Sequence, residues 1–135
     1  MLHTFILLLA AVATGGAPLV VEITGVRSGS GRIRVDVCEQ ENFLKDPCPQ
    51  SGATAARAGR VTVTLPQVRS GRYAVQVYHD ENGDGRLARG FMGIPKEGFG
   101  FSNNIRPRFG PPRFNDAAVT LGGAPQTVSI ALSYP

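Results

Sequence analysis

Apolar and polar residues alternate at every second position along most of this chain, the period of strands whose side chains point to opposite faces. "LVVEITGV" predicts a strand over Leu19–Val26. "GRIRVDV" predicts a second, with Ile33, Val35 and Val37 on one face and Arg32, Arg34 and Asp36 on the other. In "GRVTVTLP" the inward residues are Val61, Val63 and Leu65; in "GRYAVQVYHD" they are Tyr73, Val75 and Val77. Two more runs, "DAAVTL" and "QTVSIALSY", flank "GGAP" near the end. Gly, Pro or Ser bounds each run, as turns require. Only Glu39–Leu44 is expected to form a helical turn.

Short alternating strands without intervening helices predict an all-β fold, a single antiparallel β-sandwich of about seven strands. One stretch breaks the pattern. Residues 79–116 form a long Gly- and Pro-rich connection with no clear strand, yet they carry Phe91, Met92, Ile94, Phe99, Phe101, Phe109 and Phe114. That is too apolar for simple disorder, so an ordered loop packed over one end or edge of the sandwich is expected.

The 135 residues suffice for one domain. Residues 1–17 have the character of an export signal: an apolar run from Phe5 to Val12, too short to span a bilayer, followed by small residues. Cleavage after Ala13 or after Ala17 fits the small-x-small pattern, leaving residues 18–135 as the single β-sandwich domain. No other segment is apolar enough to cross a membrane. Export to the periplasm or beyond makes Cys38 and Cys48 a disulfide pair rather than a zinc or redox site, since Cys-x-x-Cys and a full ligand set are absent.

Lys and Arg total 14 against 10 Asp and Glu, a formal net charge of +4. The arginines are scattered rather than gathered into a stripe with interleaved aromatics, so nucleic acid is not an expected partner. An envelope component or a small ligand is.

Three stretches together, "LPQVRSGRYAVQVYHDENGDGRL", "GIPKEGFGFSNN" and "GPPRFNDAAVTL", resemble an uncharacterised bacterial family of exported proteins, domain of unknown function 2141. The resemblance spans essentially the whole mature chain and implies a secreted β-sandwich without lending an activity. "LPxxxxGxYAVxV" is also similar to a strand pair of transthyretin-like and collagen-adhesin B-type sandwiches, related in build to immunoglobulin-like domains. Those serve mostly as structural or binding modules.

Candidate chemistry is concentrated in "HDENGDGRLARGFMGIPKEGFGFSNN". Asp80, Asn82 and Asp84 with Gly85 follow the first half of a calcium loop, but Phe91 stands where a bidentate Glu is needed, and a strand precedes the loop. A Ca2+ site there requires a remote carboxylate such as Glu97, or Asp116. The plainer reading is a turn with solvated acids. His79 is the only histidine beyond the signal, suited to a base, a metal ligand or a buried hydrogen-bonding post. Ser102, in Gly100-x-Ser102-x-Asn104, falls one residue short of a nucleophile elbow. The expectation is therefore a non-catalytic binding or structural module, with calcium stabilisation as its specific variant. The alternative is a small secreted hydrolase using His79 and Ser102 or a loop-bound metal.

Overall fold

The computed structural model describes residues 16–45, 47–83, 97–107 and 110–135. Most of the expected export signal, and Asp84, Gly85, Phe91, Met92, Ile94 and Phe109 of the long connection, lie outside the described residues.

Eight strands are present among the described residues: β1 (Ala17–Val26), β2 (Arg32–Cys38), β3 (Gln50–Ala55), β4 (Gly59–Val68), β5 (Gly71–Asp80), β6 (Phe99–Phe101), β7 (Ala118–Leu121) and β8 (Gln126–Ala131). A four-residue helix, α1 (Phe114–Ala117), and a 3-10 turn over Ser102–Asn104 are the helical elements among the described residues. Over Glu39–Lys45 the chain turns as expected, with the Phe43 amide donating to the Glu39 carbonyl at 3.0 Å. No helix among the described residues is long and apolar enough to cross a membrane.

The strands form two facing sheets, one ordered β4-β1-β8 and the other β3-β2-β5-β6, with β7 also on β5. Leu19, Val21 and Ile23 of β1, Val61, Val63 and Leu65 of β4, and Ile130 of β8 face Ile33, Val35, Val37, Tyr73, Val75 and Val77, and all are buried. Each such aliphatic side chain stabilises the fold by about 1.5–3 kcal/mol relative to exposure. The expected inward positions of β2, β4 and β5 are the core.

Three features depart from the expectation. β1 and β8 pair in parallel, from Leu19↔Gln126 to Thr24↔Ala131. Chain-end strands meet this way because the rest of the domain serves as their crossover. β3, "QSGATA", carries too little apolar contrast to be visible as a strand. β6 lies inside the stretch read as a strandless loop, because it has only three residues and its inward position is Gly100. A Cβ on Gly100 would sit 2.7 Å from the Ala131 carbonyl oxygen, and one on Gly98 would sit 2.4 Å from the Tyr134 ring. These glycines permit close approach rather than tight turns. Phe99 and Ser133 exchange two backbone hydrogen bonds there, at 3.0 and 2.8 Å, tying the two sheets together along this edge.

A second apolar cluster covers the outer face of the larger sheet. Phe43, Phe101 and Phe114 meet edge to face, at 6.0 and 6.1 Å between centroids, over Cys38, Ala74 and Ala117. Cys38 and Cys48 form the expected disulfide, which holds the loop carrying Phe43 onto this cluster.

Candidate functional site

β6 and β7 lie end to end on the same edge of β5. β7 takes Gly71–Ala74 and β6 takes Gln76–Tyr78, which leaves Val75 between them. Ser102, the residue after β6, fills that gap. Its Oγ accepts the Val75 amide proton at 3.0 Å and donates to the Ala117 carbonyl just before β7. The next two residues extend the junction from left-handed backbone, with φ of 62° at Asn103 and 50° at Asn104. Asn is among the few residues that tolerate this conformation. Asn103 Nδ2 donates to the Asp116 and Ala118 carbonyls at 3.0 and 3.1 Å, and Asn104 Oδ1 accepts the Ala131 amide at 2.9 Å. "SNN" thus joins β5, β6, β7, α1 and β8. Ser102 is fully buried, with its hydroxyl engaged as both donor and acceptor.

His79 continues the inward face of Val75 and Val77, and it is fully buried at the end of the core. Its Nε2 is 2.6 Å from the Ser30 carbonyl oxygen, and its Nδ1 is 2.7 Å from the Tyr134 hydroxyl. A carbonyl only accepts, so Nε2 carries the proton and Nδ1 accepts from Tyr134. The same hydroxyl accepts the Arg27 amide at 3.0 Å. Both imidazole nitrogens are therefore spent on linking the β1–β2 turn, β5 and the C-terminal tail. Above this chain the Arg27 guanidinium lies 4.4 Å from the Tyr134 ring centroid and pairs with Glu81, which also accepts from Ser28 at 3.1 Å. The Arg27 hydrogen bond holds the Glu81 carboxyl below its usual value, while Glu81 in turn raises Arg27. Burial raises the Tyr134 phenol, against the opposing Arg27 amide bond.

Of the calcium candidates, Asp80, Asn82, Glu97 and Asp116 lie among the described residues. Asp80 ends β5 on the outer face of the sheet, fully buried, and accepts from Arg34 Nε of β2 at 3.1 Å. Asn82 is exposed in the turn that follows, where the Gly83 amide donates to the Asp80 carbonyl at 3.3 Å. Glu97 is buried, Asp116 is exposed on α1, and Asp84 lies outside the described residues. Among the described residues no group of three or more His, Cys, Asp or Glu is arranged to hold a metal.

Arg34 and Asp80 belong to a polar row that motif reasoning missed. On the outer face of β2 and β5, Arg34 stands opposite Tyr78 and Asp36 opposite Gln76. Gln76 Nε2 donates to Asp36 Oδ2 at 2.9 Å. Desolvation raises the Asp36 carboxyl above its ordinary value, opposed by the Gln76 hydrogen bond and the Arg34 charge. Tyr78 is also raised, first by burial and then by the Asp36 carboxylate. Strand alternation already put Arg34 and Asp36 on this face, but their cross-strand partners could be found only once the β2–β5 register was known.

No curated protein and no solved structure matches the chain significantly. The sequence profile of a family described as an uncharacterised protein conserved in bacteria matches residues 21–129, so the chain belongs to that family, domain of unknown function 2141.

Proposed function

We propose that this protein is an exported β-sandwich module of the bacterial cell envelope that binds or supports another envelope component without catalysing a reaction. The observation that carries this reading is that the two side chains best suited to hydrolysis are both fully buried and used by the architecture. Ser102 bridges Val75 and Ala117. His79 bridges Ser30 and Tyr134. A nucleophile and its base must reach a substrate and each other, and each of these residues is instead held by its own structural partners.

Export is supported by the apolar leader and by the disulfide, a linkage that persists in oxidising compartments. Of the two cleavage points, the one after Ala13 suits the fold. β1 begins at Ala17, which is buried and pairs with Val68, so cutting after Ala17 would trim a core strand.

The test is a hydrolase panel of esters, glycosides and peptides on the mature protein. The reading expects no turnover above background. Turnover that is lost in Ser102→Ala while the melting temperature holds would establish the hydrolase alternative.

A further inference from the structure

A cavity of about 240 Å³ opens beside the Ser102–Asn104 junction, between the residues that leave it and those that lead into α1. Ile105, Pro107, Pro111 and Pro112 give it apolar walls, and Arg106, Arg113 and Asp116 bring its charges. Both walls start from fixed points. Ile105 packs on the aromatic cluster, and Asn103 Nδ2 holds the Asp116 and Ala118 carbonyls. The Asp116 and Ala117 amides donate to the Arg113 carbonyl, and Phe114, the next residue, is buried. Each proline fixes its own φ, so little ordering remains to be done when a ligand enters. The charges are unevenly matched. Arg106 and Arg113 are exposed, and among the described residues neither forms an ion pair, unlike Arg27 and Arg34. Against these two guanidiniums the lining sets one carboxylate, Asp116. Close by, Arg72 adds a further positive charge, anchored by its bond to Asn115 Oδ1 at 3.1 Å. A concave wall dominated by one sign concentrates its field on whatever enters.

We propose that this cavity binds a small phosphate ester carrying a free hydroxyl, of the glycerol phosphate type. A carboxylate offers two oxygens, which one guanidinium fork satisfies. A phosphate offers more acceptors and more charge, and so engages both Arg106 and Arg113. Ile105 and the prolines suit the carbon skeleton of an ester, which a bare inorganic anion lacks. Asp116 opposes an anion but accepts from a hydroxyl, so it favours an ester that brings a donor over inorganic phosphate. The volume lies just under the range of about 300–1,000 Å³ for drug-sized ligands, which suits a head group rather than a larger molecule. The same group occurs free and as the exposed head of a phospholipid, and both sources are open to the exported module proposed above. Neither His79 nor Ser102 lines the cavity, so the site stands whether or not the chain catalyses a reaction.

Calorimetric titration of the mature chain with sn-glycerol 3-phosphate, and flotation with phosphatidylglycerol vesicles, test this and separate the two sources. Saturable binding of the soluble ester alone identifies a free ligand, and binding to the vesicles identifies the lipid head group. Arg106→Gln with Arg113→Gln should weaken either by about tenfold or more. The melting temperature of that variant should hold, because both side chains are exposed. Arg57→Gln with Arg60→Gln removes the same charge away from the cavity lining and should leave binding intact. Asp116→Ala should narrow the preference for the ester over inorganic phosphate. The proposal is overturned by absence of binding in both arms, or by binding that is indifferent to the loss of Arg106 and Arg113. An equal loss in the Arg57 and Arg60 variant would overturn it too, since that marks attraction to net charge alone.

Discussion

The Val75 amide donates to the Ser102 hydroxyl at 3.0 Å, at the point on β5 where pairing passes from β6 to β7. A side chain thus stands where a strand backbone would otherwise be needed. A buried amide without a partner costs free energy comparable to a lost hydrogen bond. Ser102→Ala should therefore destabilise the fold by about 1–3 kcal/mol, read by denaturant unfolding. Ser102→Thr, which keeps the hydroxyl but adds a methyl at a fully buried position, should also destabilise. Unchanged stability in the alanine variant would remove the structural role assigned to Ser102.

How far this was legible beforehand varied with the residue. The long strands were visible because their buried positions carry Val, Ile and Leu at period two, and His79 was placed on the inner face by that rule alone. Its partner Tyr134 was not, since the two lie 55 positions apart and nothing local in "SYP" marks a contact. β3 was hidden because its small side chains erase the alternation, and β6 because it has only three residues with Gly100 at its inward position. Ser102 resembled a truncated nucleophile elbow, and only the end-to-end placement of β6 and β7 explains why a serine is needed there.

The raised Asp36 carboxyl makes stability depend on pH in a stated direction. Its folded value lies above its unfolded value of about 3.8, so its contribution is fully present below that pH and is lost as pH rises through the folded value. Asp36→Asn keeps an acceptor for Gln76 and removes the burdened charge. The variant should be more stable than the parent at neutral pH, and the gain should vanish on acidification below the unfolded value. Melting curves from pH 3 to 7, about the range over which a carboxyl titrates, check this. A variant that is less stable at neutral pH would show that the Arg34 attraction outweighs desolvation.

Calcium gives a third expectation. Asp80 is already paired with Arg34, and Asn82 is exposed beyond it. On this account melting temperatures in excess calcium and in chelator coincide. A calcium-dependent rise that disappears in Asp80→Ala and weakens in Glu97→Ala would instead mean that these carboxylates are recruited to a cation.

The central claim is that the chemistry-bearing side chains serve the architecture, and His79 states it most compactly. Long-range proton–nitrogen correlation spectra of the mature protein read which imidazole nitrogen carries the proton. The account predicts a single species with the proton on Nε2, slow to exchange because it is buried against the Ser30 carbonyl, and an unprotonated Nδ1 facing Tyr134. A proton on Nδ1, or an Nε2 proton exchanging as fast as in a solvated imidazole, would contradict it and reopen His79 as a working base.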